Sequence, residues 1–338
     1  MLKGYMAGCN LGHWISQYGT KGKDHYDNYI TEPDLKRIAE WGCDHVRLPV
    51  DYMIFEKDDN PGEYLEEGLK YVDNAISWAH KYGLNVVLDL HHAPGYFLNH
   101  GEKNNLFTNR DSQIRFINIW KFFAERYAAI GDNLRFELLN ELSCKKSEQW
   151  NNLWQETAEA IFAITPARKV IVGSDHFNMV QGLKNLTISS NPNVLYTFHL
   201  YEPMLFSHQR AYWWEPYCSY LRSVCYPCKF EEHREFYGDR IPDGMTENGV
   251  FDKEYIRRVM QPAIDFMKKS NRPLYIGEYG VYETADQESM VRWYNDMADL
   301  CLEYGMGRSA WSYRGFATIT TADNQPGDER IIRAISRR

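Results

Sequence analysis

Eight short runs of β-forming residues alternate with amphipathic stretches along the whole of this 338-residue chain. The runs cover 5–10, 44–50, 84–90, 134–141, 169–172, 194–200, 273–277 and 308–311. Several are apolar at nearly every position, as strands buried on both faces are. Helical periodicity is expected over 32–41, with Thr31 as N-cap and Pro33 in the first turn, and over 69–81, closing at Gly83. Further helices are expected over 112–127, 147–164 and 286–304, near 328–335, and from about Phe251 onward. Strand–helix alternation repeated eight times predicts an α/β chain closed into a (β/α)8 TIM barrel rather than an open doubly wound sheet. An open dinucleotide-binding sheet would carry a glycine-rich fingerprint after its first strand, and none follows residues 5–10.

One interval breaks the rhythm. Residues 203–250 are too many for a bare loop, so a small, partly helical subdomain is expected there, set over the mouth of a single barrel spanning 1–338. The segment carries Trp213, Trp214 and three of the seven cysteines, and its place after the sixth strand makes it a candidate wall for a cleft.

Composition excludes some partners. The net charge is −8 and Lys and Arg are scattered, which argues against nucleic acid and anionic membranes. No segment is long and apolar enough to span a bilayer, and the first residues lack the apolar run of a signal peptide. The expectation is a monomer that is cytoplasmic, or secreted with its leader removed. An odd cysteine count without framework spacing favours reduced thiols, and Cys225-Tyr-Pro-Cys228 stands alone without the second pair of a zinc site. Aromatic residues reach 15%, which suits a packed core or a cleft where sugar faces stack on rings.

The residues at the strand ends carry the chemistry. Arg47 stands in the second strand, His91 and His92 close the third, and Asn140-Glu141 close the fourth. His199 and Tyr201 follow the sixth, Glu278 the seventh and Trp311 the eighth. In a barrel these groups converge on one mouth, where buried polar atoms can find one another. Two carboxylates facing across such a mouth suit glycosidic bond cleavage, one protonated and one ionised. Glu141 and Glu278 are the candidate pair, with Arg47 placed to favour the ionised form of one. Glu137 shares strand parity with Glu141 but lies four residues deeper. It is expected to be a buried structural carboxylate held by a basic group that the sequence does not identify.

Leu139-Asn140-Glu141, His91-His92, His199-x-Tyr201, Ile276-Gly277-Glu278-Tyr279-Gly280, Trp311 and His45-Val-Arg47-Leu-Pro49 together resemble glycoside hydrolase family 5, a clan A family of retaining enzymes. Gly8-Cys-Asn-Leu-Gly-His-Trp14, Ile30-Thr-Glu-Pro-Asp-Leu35 and Leu88-Asp-Leu-His-His-Ala-Pro-Gly-Tyr96 resemble its compact clostridial endoglucanase C type. The resemblance implies Glu141 as acid/base, Glu278 as nucleophile, Asn140 on the sugar 2-hydroxyl and Arg47 beside the nucleophile. It further implies a Tyr201 hydrogen bond to Glu278, His91, His92 and His199 lining the site, and Trp311 as the floor under the sugar being cleaved. Asn10 and Trp213 are added as substrate contacts. The common motif has Pro after the acid, where this chain has Leu142. The implied substrate is β-1,4-glucan or mixed-linkage β-1,3-1,4-glucan, with mannan, glucomannan and β-1,3-glucan as alternatives, and no cofactor or metal is implied. Two rivals stand beside this reading. A metal-dependent barrel hydrolase would use His91, His92 and His199, but adjacent residues on a strand point to opposite faces. A carbohydrate-binding barrel without turnover would use the same aromatics.

Overall fold

The computed structural model describes residues 2–17, 21–98 and 103–338; Met1, which opens the N-terminal stretch, lies outside them. Eight parallel strands close into a barrel: β1 (Ala7–Asn10), β2 (His45–Asp51), β3 (Asn85–His92), β4 (Leu134–Glu137), β5 (Val170–Gly173), β6 (Val194–His199), β9 (Leu274–Tyr279) and β10 (Gly307–Ala310). A two-stranded antiparallel sheet, β7 (Cys228–Lys229) with β8 (Val250–Phe251), lies outside it. The helices are α1 (Lys23–Asn28), α2 (Glu32–Glu40), α3 (Glu66–Lys81), α4 (Arg110–Arg126), α5 (Ser147–Ile164), α6 (Met204–Ser207), α7 (Arg234–Tyr237), α8 (Lys253–Val259), α9 (Gln261–Ser270), α10 (Gln287–Tyr304) and α11 (Glu329–Ser336). Among the described residues no helix is long and apolar enough to cross a membrane.

Strand alternation divides the core in two. One set of side chains, such as Val46, Leu48 and Val50 of β2, packs with the helices in the main apolar cluster. A second cluster, Val87, Ile171, Leu195 and Tyr275 with Leu2, Tyr5 and Met6 from the chain start, plugs the barrel interior. Two strand positions above it the interior turns polar, with Asp89 of β3 and Thr197 of β6 both at zero exposure. Interior residues of such barrels stack in layers, so a charged layer over an apolar plug aims charge at the mouth.

Two buried arginines close helix ends rather than pairing with acids. Arg168 donates to the carbonyls of Tyr127 and Ile130 after α4, both at 2.8 Å. Arg308 on β10 donates to Ala334 and Arg337 at the end of α11, at 3.0 and 2.6 Å. Both serve carbonyls that a helix terminus leaves without partners. At the start of α2, Asp34 accepts from the Thr31 backbone N–H at 2.8 Å and from its hydroxyl at 2.9 Å.

Two expected boundaries need correction. The run 134–141 is a regular strand only to Glu137, beyond which the Leu138 and Asn140 N–H groups still donate to the Ile171 and Leu90 carbonyls at 3.1 and 3.3 Å. The seventh run continues through Glu278 to Tyr279 instead of stopping at 277. The interval 203–250 folds into α6, α7 and the β7–β8 hairpin, whose pairing reaches Phe251. It is fastened to the start of α10, where Tyr226 N–H donates to Ser289 Oγ at 2.9 Å and Arg292 Nε to the Tyr226 carbonyl at 2.7 Å. All seven cysteines are free thiols, Cys225 exposed and Cys228 buried.

Candidate active site

Arg47 organises the mouth. Its guanidinium is wholly buried, where an uncompensated charge would be untenable, so every edge of it is engaged. Nε and Nη2 donate to the two oxygens of Glu137 at 2.7 and 3.0 Å. Nη1 donates to Glu278 Oε1 at 2.8 Å and to Asn10 Oδ1 at 3.0 Å, and Nη2 to Asn140 Oδ1 at 2.9 Å. Asp89 Oδ2 lies 3.0 Å from Nη2. The basic partner of Glu137 is therefore Arg47 itself.

Glu278 reaches this network through a slip in register. Tyr275 points into the barrel, and strict alternation would turn Glu278 outward. The β6–β9 ladder shifts between Phe198 and His199, which sets His199 opposite Glu278 and turns the carboxylate inward. Its second oxygen accepts from Tyr201 Oη at 2.9 Å.

Glu141 arrives by another route. Its backbone is left-handed, with φ of 37°, a conformation that non-glycine residues hold only when their surroundings enforce it. Tyr96 Oη donates to its carbonyl at 3.0 Å and accepts from Ser143 N–H at 2.8 Å, clamping the turn from both sides. The carboxylate then meets His199, whose Nδ1 is 2.8 Å from Glu141 Oε1 and 3.7 Å from Glu278 Oε2.

One oxygen of Glu141, one of Glu278 and His199 Nδ1 all lie within 4.8 Å of one another. These three are a possible metal-ligand cluster by spacing. However, both Glu278 oxygens already accept hydrogen bonds, and the Arg47 cation stands 2.8 Å from one of them, where it opposes a second cation.

Burial pushes Glu141 up to about 7, against a smaller downward pull from Arg47. Burial also lifts Glu278 to about 7, opposed by His199 and Arg47. The two titrate as a coupled pair. Glu278 receives two donors that favour its anion, from Arg47 and Tyr201, and Glu141 receives one, from His199. Burial drives His199 down to about 4, which keeps its ring neutral.

Behind the carboxylates, the His91 ring donates through Nδ1 to Asp89 at 2.7 Å, and Asn140 Nδ2 lies 3.3 Å from its Nε2. His91 stacks on Trp311, with ring centroids 5.7 Å apart and planes 13° off parallel. Gly12 makes room for that indole, since a Cβ there would sit 3.0 Å from two of its carbons. The peptide joining Trp311 to Ser312 is cis. A cleft of about 690 Å³ opens over these groups, between Trp213 and Phe316 on one flank and Phe177 and Met179 on another.

Residues 9–316 match the cellulase family, glycosyl hydrolase family 5. The chain belongs to glycoside hydrolase family 5. It is 41% identical over 338 residues to Endoglucanase C of Acetivibrio thermocellus, covering 99% of this chain and 98% of that one. It is 32% identical to Cellodextrinase A of Ruminococcus flavefaciens, covering 98% and 95%. Among solved structures, Thermotoga maritima Cel5A in complex with cellobiose superposes with a TM-score of 0.80 at 25% identity, covering 98% and 97%.

Within this family 5 hydrolase, Glu141, Glu278, His91, His92, Asn140, His199, Tyr201, Trp213 and Trp311 all line the cleft. Arg47 and Asn10, expected among the substrate contacts, are not among the residues that line the cleft. Asn10 is wholly buried, and its amide donates to the carbonyls of Gly277 and Ser309 at 3.0 and 3.2 Å. Both residues lie beneath the carboxylates and orient them, because the polar layer under the mouth consumes all their hydrogen bonds. His92 Nδ1 bonds Asp51 at 2.8 Å. Sequence reasoning missed Asp89 and Asp51, the carboxylates that orient the two histidines. Asp89 is a buried acid within an apolar run of β3, and Asp51 ends the strand that carries Arg47, which was the available signal. It also missed Glu202, His208 and Phe177 on the cleft wall, for which tertiary placement alone gives a reason.

Proposed function

We propose that the protein is a retaining endo-β-1,4-glucanase acting on cellulose-type and mixed-linkage β-1,3-1,4-glucans. The observation that carries this reading is the approach of Glu141 and Glu278 within 4.8 Å between oxygens. Retaining enzymes hold their carboxyl groups about 5–5.5 Å apart, and inverting enzymes leave roughly 6.5–9.5 Å for a water. The endoglucanase name of the 41% identical relative supports the substrate class.

Glu278, held as an anion by Arg47 and Tyr201, attacks the anomeric carbon. Glu141, the member that keeps its proton, gives it to the departing glycosidic oxygen. The covalent glycosyl-enzyme erases the charge on Glu278, which lowers the proton affinity of Glu141. Glu141 then takes a proton from the incoming water, which displaces Glu278 with a second inversion. Trp311, seated on His91, forms the floor under the reacting sugar. Trp213, 42% exposed and 4.7 Å from Phe316 between ring centroids, offers a platform from the inserted segment.

A panel of soluble glucans and mannans, with product sizing and proton NMR of the first product, tests the reading. Internal cuts in β-1,4-containing glucans with a β-anomer as first product are expected. An α-anomer, or silence on glucans with turnover of mannan, overturns it.

A further inference from the structure

Glu202 is a cleft-lining carboxylate that the double displacement does not use. One of its oxygens is fixed twice, since Oε2 accepts from Met204 N–H and from Tyr255 Oη, both at 3.0 Å. Among the described residues no donor reaches Oε1. Its main chain is held as well, with Trp293 Nε1 donating to the Glu202 carbonyl at 3.0 Å. The result is a rigid carboxylate with one oxygen committed and one available to the cleft.

The cleft does not stop there. A second depression of about 600 Å³ shares Gln181 and Val259 with the first and continues past them to Lys184, Asp243 and Arg258. Its walls carry hydrogen-bonding groups of both signs with few rings, as suits a hydroxyl-rich chain more than an apolar ligand. The loop leading to Gln181 is tied to the acid, because Phe177 N–H donates to the Leu142 carbonyl at 2.8 Å, one residue beyond Glu141. A general acid stands on the side of the oxygen it protonates. The second depression therefore continues the cleft on the flank of the mouth that carries the acid.

Resting on the β-glucanase reading, we propose that the groove running from Glu202 past Gln181 binds the leaving portion of a long glucan, with Glu202 Oε1 accepting hydroxyl hydrogens from one of its sugars. This makes Glu202 a length-selecting residue, one that favours cleavage within chains over cleavage of short oligosaccharides.

The test compares wild type, Glu202→Gln and Gln181→Trp. The amide of Glu202→Gln still accepts the two fixed donors, and Gln181 is an exposed position where Trp closes the passage without disturbing the core. Substrates run from an aryl β-cellobioside, whose leaving group has no sugar hydroxyls, up to cellohexaose. The expected loss in kcat/KM deepens with the number of leaving-group sugars and reaches about ten- to a hundredfold at cellohexaose, the scale of one hydrogen bond to a charged group. A loss of the same factor on every substrate, or none on any, overturns the proposal. Calorimetric titration of cellohexaose into Glu278→Ala, with and without each groove substitution, reads the groove apart from turnover. Weaker binding in both double variants supports it, and unchanged binding overturns it. If wild type cleaves no β-glucan while these affinities still fall, the glucanase reading fails and the groove stands.

Discussion

Arg47 grips Glu137 side-on, Nε to Oε2 at 2.7 Å and Nη2 to Oε1 at 3.0 Å, with both side chains at zero exposure. That grip leaves Nη1 facing Glu278 and the rest of Nη2 facing Asn140 and Asp89. Glu137 thus sets the position of Glu278, the proposed nucleophile, from below and through Arg47. Glu137→Leu removes one partner of a buried pair and leaves the guanidinium short of compensation, which typically costs about 3–5 kcal/mol. We expect a lowered unfolding midpoint in denaturant. The folded fraction, counted by trapping the glycosyl-enzyme, should lose roughly a hundredfold in kcat/KM through misplacement of Glu278. Wild-type turnover per trapped site would show that Glu137 is structural alone.

The two proposed catalytic carboxylates should fail differently. Glu278→Ala removes the group that forms the covalent bond, so turnover should vanish on glucans and on activated aryl cellobiosides alike. Glu141→Ala removes the proton donor, which contributes typically 10²–10⁴-fold. A dinitrophenolate leaves without a proton, so the first step should survive on dinitrophenyl cellobioside. A burst of released phenolate followed by slow turnover is the expected trace, and added azide should accelerate the slow phase by replacing base-assisted water. Equal losses on polysaccharide and dinitrophenyl substrate would remove Glu141 from the acid role.

Much of this arrangement was legible in the chain. Strand–helix alternation foretold the barrel, and the polar groups at 47, 91, 140, 199, 201, 278 and 311 were visible as candidates for one mouth. What the sequence hid was depth. Asn10 and Arg47 read like the other strand-end residues, yet they lie one layer lower, paired with each other in the β1–β2 ladder while β2 runs on to Asp51. The turn that lifts Glu141 is enforced by Tyr96, forty-five residues away in sequence. The inward aim of Glu278 depends on a register shift that no local pattern encodes.

The raised carboxylates also couple activity to stability. Glu141 moves from 4.5 to about 7 and Glu278 likewise, chiefly through burial. A carboxyl whose folded pKa lies above its unfolded value stabilises fully below about pH 4.5, and loses that contribution as pH rises toward 7. The site therefore weakens the fold at neutral pH relative to pH 4–5. Glu141→Gln relieves its share, so its unfolding free energy should exceed that of wild type at pH 8 by roughly 1–3 kcal/mol, with the gap closing at pH 4–5. In kcat/KM against pH, the alkaline limb should fall near pH 7 as Glu141 loses its proton. An alkaline limb of the same pKa in Glu141→Gln, measured on dinitrophenyl cellobioside, would assign that limb elsewhere.

Arg308 offers the opposite case, stability without chemistry. It is wholly buried on β10, and its guanidinium donates to the Met6 carbonyl at 3.3 Å as well as to Ala334, Ile335 and Arg337 at the end of α11. These bonds fasten the last helix across the bottom of the barrel, remote from the mouth. Arg308→Met keeps most of the packed volume and leaves carbonyls unpaired at a helix terminus that water reaches only in part. Each such group costs roughly 1–3 kcal/mol when buried, so a loss of about 2–4 kcal/mol is expected from chemical denaturation. Hydrogen exchange should locate the added opening in residues 329–336. The pH limbs of kcat/KM should keep their wild-type positions, because Arg47 and not Arg308 sets the charge felt by Glu278. A shifted acid limb would show that the two arginines are coupled through the strands between them.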